Sequence, residues 1–254
     1  MTLLQVDRVT LEFGGLRALD DVSFAVAAGE IHALIGPNGA GKSSCFNVIG
    51  GLHAHARGAV VFDGLDIRRH RPHRLAGLGI GRSFQHPALS ARSTVLDNVM
   101  LGRHALTRGG FLSGVLGLTA KQERRHQARA IEICAYFGLA AVMSAPVGSL
   151  PYGLVKRVDI ARALAVEPRL LLLDEPAAGL NANEAVELAA LVQAVNTELG
   201  IAILLVEHNM NLVMGIADRI TVLDFGRVIA RGGPAEIQAN PKVVQAYLGA
   251  EILP

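Results

Sequence analysis

Gly36-Pro37-Asn38-Gly39-Ala40-Gly41-Lys42-Ser43-Ser44 is the stretch whose reading decides the fold. It fits G-x-x-x-x-G-K-[ST], a loop that cradles phosphates. Before it lies the apolar run Ile31-His32-Ala33-Leu34-Ile35, which reads as a buried strand. After it, Ser44-Cys45-Phe46-Asn47-Val48-Ile49 opens a helix. The glycines let the backbone curl so that successive N–H groups point at anionic oxygens. The helix adds its positive N-terminal end. In that arrangement Lys42 reaches the β- and γ-phosphates of a nucleoside triphosphate, and Ser43 places its hydroxyl on Mg²⁺. A ligand-free glycine turn would need neither the lysine nor the serine, and both are present at the required spacing.

Working outward from this loop, residues 3–13 and 22–35 alternate like strands, with Gly14-Gly15 and Ala28-Gly29 as turn signals. Val60-Val61-Phe62 followed by Asp63-Gly64 predicts a strand entering a hairpin. Ile80–Gln85 predicts a further short strand. Gly77-Leu78-Gly79-Ile80-Gly81 has the look of a dinucleotide fingerprint, but no helix opens from it. From His86 to about Leu150 strand signals vanish. Helices are expected over Val95–Leu106 and Lys121–Phe137, with Phe111–Ala120 between them. Arg124, Arg125, His126 and Arg129 form a basic run there, and such runs are commonly solvated helix faces. A helix over Tyr152–Val166, the strand Leu170–Asp174, a helix over 183–199 capped by Asn181 or Asn183, and the strand 201–206 follow. Residues 219–231 read as a hairpin across Gly226, and 234–248 as short helices. Apolar strands alternating with helices predict an α/β fold with a largely parallel sheet covered on both faces.

A chain of 254 residues can bury such a core as one domain or one domain with an insertion. Hydrophobic content of 51% against 18% charged excludes disorder as the default. The net charge of +2, with scattered basic residues, leaves no footprint for nucleic acid. Cys45 and Cys134 stand far apart without C-x-x-C, so neither a disulfide framework nor a zinc site is indicated. Met1–Arg8 lacks a basic start followed by a long apolar stretch, the mark of a signal peptide. The nearest approach to a membrane span, Phe111–Ala120, falls short of the roughly 20 apolar residues required. These features predict a soluble, cytoplasmic protein that can sit against a membrane.

Two further acids complete the chemistry. Asp174 and Glu175 close a buried apolar strand, at the edge where open α/β sheets bind ligands. An Asp there can hold Mg²⁺, and the adjacent Glu can polarise a water for in-line attack on a γ-phosphate.

With these motifs in place the chain resembles the ATP-binding subunit of ATP-binding cassette (ABC) transporters, over nearly its whole length. Gln85 occupies the place of the family's Q-loop glutamine, and Leu150–Arg157 that of its signature motif. Leu170–Glu175 matches the Walker B strand, Ala178-Gly179-Leu180-Asn181 the D-loop, and His208 the switch histidine. The chain is similar in particular to the large-insertion subunit of the branched-chain amino-acid uptake branch. That likeness is carried by Phe13-Gly14-Gly15-Leu16, Phe84-Gln85-His86, Pro176–Asn181, Leu212–Arg219 and Ala246-Tyr247-Leu248-Gly249.

The resemblance implies a P-loop nucleoside triphosphatase core with an N-terminal antiparallel β-subdomain and an inserted helical subdomain. Residues 1–85 and 167–254 would be the catalytic core, and 86–166 the helical part with the signature helix. It implies an ATPase that powers import of branched-chain or related amino acids, with ATP and Mg²⁺ as cofactors. Gly36 to Ser44 and Asp174 would bind nucleotide, with Ser43, Gln85 and Asp174 on the metal. Glu175, Gln85 and His208 would serve hydrolysis. Phe13 would stack on adenine, although a lone strand aromatic is also commonly core. Taken alone, Gln85 reads equally as a surface amide and His208 as a capping histidine.

The segment Pro151-Tyr152-Gly153 would meet the nucleotide of a second cassette, in a homodimer or heterodimer. It departs from the family's Leu-Ser-Gly-Gly-Gln, because Pro151 offers neither hydroxyl nor N–H. Proline nonetheless suits a first helical turn. Integral membrane permease subunits, contacted in part through His86–Ser90, and indirectly an extracytoplasmic solute-binding protein, are the other implied partners. The implied location is the inner face of the cell membrane. Two alternatives are a non-transport ABC ATPase and a weakly hydrolysing regulatory nucleotide-binding subunit.

Overall fold

A computed structural model describes residues 1–106 and 118–251. Strands β1 (Thr2–Phe13) and β2 (Leu16–Ala27) pair antiparallel about Gly14-Gly15. Strand β3 (Ile31–Ile35) runs through the phosphate loop into α1 (Lys42–Ile49). β4 (Arg57–Phe62) and β5 (Leu65–Asp66) form the expected hairpin. Its turn holds Asp63 at φ +49° and Gly64 at φ +81°, the pair of positive dihedrals that suits an Asp-Gly turn. After α2 (Pro72–Gly77) comes β6 (Ile80–Arg82), shorter than the strand read from the sequence.

Three longer helices follow: α3 (Val95–Arg103), α4 (Leu118–Tyr136) and α5 (Tyr152–Leu164). Among the described residues, no strand of either sheet lies between β6 and β7. The segment expected between α3 and α4, Phe111–Ala120, falls mostly outside the described residues. The rest is β7 (Leu170–Asp174), α6 (Ala182–Leu199), β8 (Ala202–Val206), α7 (Met210–Ile216), β9 (Arg219–Asp224), β10 (Arg227–Gly232), α8 (Pro234–Gln238) and α9 (Pro241–Glu251). Asn181 is the residue that caps α6. Its side chain accepts from the Glu184 N–H, and Glu184 reaches back to the Asn181 N–H, a reciprocal box that satisfies two orphan donors.

Two sheets result. One has the order β2-β1-β4-β5 and is antiparallel; the other runs β10-β9-β3-β8-β7-β6. In the second, every pairing is parallel except that of the edge strand β10 with β9. The continuous apolar runs have a direct cause. Ala33, Leu171, Leu173, Ile203 and Leu205 enter one core with the helices. Their neighbours Leu34, Leu170, Leu172, Leu204 and Val206 enter a second core with β1, β2, β4 and α1. Strand side chains alternate faces, so a sheet sandwiched between two layers needs apolar residues at every position. The core is thus split by the parallel sheet, and the site sits on its carboxyl edge.

The basic run on α4 is only partly a solvated face. His126 is buried, and its Nδ1 accepts from Arg103 Nε at 3.0 Å, while Arg103 also pairs with Glu167 at 2.8 Å. Two short helices, α2 and α7, escaped the sequence reading.

Candidate functional site

Register sets the geometry. Leu34 of β3 and Asp174 of β7 both face Val206 of β8. The carboxyl ends of three adjacent strands are therefore level. The loop from Gly36, the acids Asp174-Glu175 and the pair Glu207-His208 leave the sheet from the same edge. With strands about 4.8 Å apart, the first two departures are about 10 Å apart.

Gly41, at φ +99°, precedes α1, and no side chain caps that helix. Its first turn presents main-chain N–H groups to the cleft, as an anion site requires. Lys42 is buried, and its ammonium donates to the carbonyls of Gly36 at 2.6 Å and Pro37 at 2.9 Å. Burial pulls its pKa down, while the Glu175 carboxylate opposes that shift. A cleft of about 360 Å³ is lined by Asn38 to Ser44, Glu175, and three residues of the start of β2, Leu16, Arg17 and Ala18. Phe225 and Gly226, in the turn between β9 and β10, close it.

The acids meet this cleft from β7. Burial pushes the Asp174 carboxyl above the usual carboxylate range, with the Arg82 guanidinium pulling the other way. Glu175 Oε2 accepts from Gln85 Nε2 at 2.8 Å. His208 Nδ1 lies 3.9 Å from the same oxygen and 3.4 Å from Glu207 Oε1. Glu207 is fully buried and accepts from the N–H groups of Ala177, His208 and Asn209. It thereby ties the loop after β7 to the end of β8.

The fold thus gathers Lys42, Ser43, Glu175, Gln85 and His208 on one edge. Although its register partner Leu16 lines the cleft, Phe13 itself does not. It is 43% exposed, so it is no core residue, and it meets the rings of His53 and His55 edge-on at 5.3 and 5.7 Å. Pro151 is the N-cap of α5, and Tyr152 and Gly153 are its first residues; none of the three lines the cleft. The Tyr152 ring covers Gly179, and Gly153 abuts Glu184. The sequence assigns no role of their own to Leu16, Arg17, Phe225 and Glu207, or to Lys156, whose buried ammonium donates to the carbonyls of Gln85 and Glu175.

Among the described residues, no group of three or more His, Cys, Asp or Glu side chains is placed to hold a metal by itself. A hard cation shared with phosphate oxygens needs only one or two protein oxygens. The Ser43 hydroxyl, the Asp174 carboxyl and the Gln85 amide are oxygen donors of the kind Mg²⁺ takes. No described helix is long and apolar enough to cross a membrane.

Comparison with known proteins agrees with this geometry. A profile described as ABC transporter matches residues 19–178, and one described as branched-chain amino acid ATP-binding cassette transporter matches residues 227–252. The high-affinity branched-chain amino acid transport ATP-binding protein BraF of Pseudomonas aeruginosa is 38% identical over 251 residues, covering 97% of this chain and 98% of its own. LivG of Escherichia coli, with the same description, is likewise 38% identical with the same coverage. The crystal structure of the ADP conformation of MJ1267, an ATP-binding cassette of an ABC transporter, superposes with a TM-score of 0.85 at 32% identity, covering 98% of this chain and 99% of that one.

Proposed function

Because the chain belongs to the ABC transporter ATP-binding family, we propose that it is the ATP-hydrolysing subunit of an importer for branched-chain amino acids or close relatives. One observation carries the reading: a phosphate loop and a Gln85–Glu175–His208 cluster share one edge of one sheet.

In this reading the N–H groups of residues 39–44 and the Lys42 ammonium bind the β- and γ-phosphates. The N–H groups at the start of α1 need little reorganisation, whereas the Lys42 ammonium must exchange its bonds to the Gly36 and Pro37 carbonyls for phosphate oxygens. Ser43, Asp174 and Gln85 would hold Mg²⁺, which would supply charge neutralisation to the phosphates. Glu175 accepts the proton of the attacking water, and Gln85 and His208 orient that water and the γ-phosphate. Phe13 stacks on adenine. Pro151, Tyr152 and Gly153 face the nucleotide of a second cassette subunit.

Residues 1–85 and 167–254 act as the catalytic core, and 86–166 pass its motion to membrane subunits on the inner face of the membrane. A groove of about 560 Å³ between the two parts, lined among others by Phe84, Ala88, Leu101 and Val166, suits an apolar segment of such a subunit. The solute-binding protein acts through those membrane subunits. The test is Mg·ATP binding and hydrolysis by the full chain, together with leucine uptake by cells carrying the assembled transporter. Lys42→Ala is expected to abolish binding. Glu175→Gln is expected to keep binding and lower turnover by about 10²–10⁴. A folded wild-type chain that takes up no Mg·ATP would refute the reading.

A further inference from the structure

Glu175 lies at φ +46°, in the left-handed region that side chains other than Gly, Asn and Asp rarely adopt. Strain of this kind persists at functional sites only where the surroundings over-determine it. Two sets of bonds do so here. The Glu175 N–H donates to the Val206 carbonyl at 2.8 Å, which fixes it to β8. The Glu175 carbonyl accepts from the Ala178 N–H at 3.1 Å and from Lys156 Nζ at 3.2 Å.

Lys156 comes from α5, the helix that starts at Tyr152. It is 2% exposed. Its ammonium also donates to the Gln85 carbonyl at 2.8 Å, and the Gln85 side chain donates to the Glu175 carboxylate at 2.8 Å. The circuit is closed: ammonium, Gln85 main chain, Gln85 amide, Glu175 carboxylate, Glu175 carbonyl, ammonium. Nearly one turn along the same helix, the buried Asp159 accepts from the Phe84 N–H at 2.9 Å. One face of α5 therefore grips residues 84 and 85, and its lysine reaches past them to residue 175. The Tyr152 ring, at the first turn, lies 5.6 Å from the same ammonium.

A leucine or methionine would fill this volume without desolvating a charge, so packing alone does not call for lysine. What the lysine supplies is a three-donor ammonium on a four-carbon stem, which here bridges two main-chain carbonyls at once. We infer that Lys156 is a positioning residue for hydrolysis, holding the strained backbone of Glu175 and the backbone of Gln85 to one helix. A shift of α5 is then carried to the Glu175 carboxylate through a single side chain. The role rests on the reading of Glu175 as the base that activates water.

The experiment is a double-mutant cycle on the full-length chain, by single-turnover hydrolysis and equilibrium Mg·ATP binding. Misplacement of a reacting group by about 1 Å can lower a rate by up to about 10². Lys156→Met is accordingly expected to lower the hydrolysis rate by about tenfold or more, with the nucleotide Kd within about threefold of wild type. Added to Glu175→Gln, it is expected to lower the remaining rate by less than about twofold, because the group it positions is already disabled. A purely structural role would give the same fold-loss in both backgrounds, and that result overturns the inference. So does a Lys156→Met rate within about twofold of wild type. Should Lys156→Met not fold, Lys156→Gln keeps a buried donor on a stem one atom shorter and without the charge, and the same two criteria apply. A wild-type chain that hydrolyses ATP beside an unaffected Lys156 variant overturns only this role. A wild-type chain that binds no Mg·ATP overturns the proposed function itself.

Discussion

The first glycine of the phosphate loop gives the sharpest test of the site's construction. Gly36 has φ +152°, and a Cβ built on it would stand 2.1 Å from the Leu223 carbonyl oxygen and 3.0 Å from the Ala40 Cβ. An ordinary carbon–oxygen approach is about 3.3 Å or more, so Gly36→Ala requires the loop and β9 to separate by roughly 1 Å. β9 cannot yield freely, because it is bonded to β3 on one side (Ile35 with Val222) and to β10 on the other (Leu223 with Val228). The dihedral strain of an L-residue there is about 1–2 kcal/mol, and forced overpacking adds about 1–3 kcal/mol. At about 2–4 °C per kcal/mol for a chain of this size, Tm should fall by about 4–20 °C. The control is Gly39→Ala, at φ +78° with nothing within 4 Å of its Cβ. There only the dihedral term applies, about 1–2 kcal/mol, and Tm should fall by about 2–8 °C. Thermal unfolding of the two variants side by side decides the matter. If Gly36→Ala is no less stable than Gly39→Ala, then the close approach of β9 does not constrain the loop, and the steric account of the cradle is wrong.

Asp174 predicts a pH dependence. Burial makes its carboxyl hold a proton more tightly in the folded chain than in the unfolded one, so the unfolded chain holds fewer protons just above the ordinary carboxylate range, and stability falls as pH rises through that window. Asp174→Asn should flatten the decline of Tm as pH rises above about 4 in the absence of nucleotide, while weakening Mg²⁺-dependent ATP binding. An unchanged profile would refute the burial argument. Phe13→Ala should raise the Kd for ATP by about tenfold, within the range of base–aromatic stacking. Equal affinity would show that the adenine sits elsewhere. Pro151 is the N-cap of α5 without a side-chain bond, so Pro151→Ser should add a cap worth about 1 kcal/mol and raise Tm by about 2–4 °C. In the assembled transporter it should also raise turnover, since it restores the hydroxyl that the family's motif carries. A lower Tm would mean that the rigidity of proline matters more than the missing cap.

What could be read from the sequence, and what could not, divides along a physical line. Gly36, Lys42 and Ser43 announce themselves because their chemistry is local: the glycines, the cation and the strand that precedes them are contiguous. Asp174 does so because an apolar run ends on an acid; the cap of α6 stays open between Asn181 and Asn183 until the bonds between Asn181 and Glu184 decide it. His126 was misread because its environment is set by Arg103, on another helix. Lys156 was invisible for a deeper reason. Its acceptors are main-chain carbonyls, 71 and 19 residues away, and every residue carries a carbonyl. Pattern reading pairs side chains of complementary type, but a side chain that serves the backbone has no complementary residue to be found by. The same holds for Glu207, which binds three main-chain N–H groups, and for Asp159 on the Phe84 N–H. These three buried charged residues, Lys156, Asp159 and Glu207, all anchor the loops that carry Gln85, Glu175 and His208. The motif residues are thus legible in sequence, and the residues that aim them are legible only once the backbone has been placed.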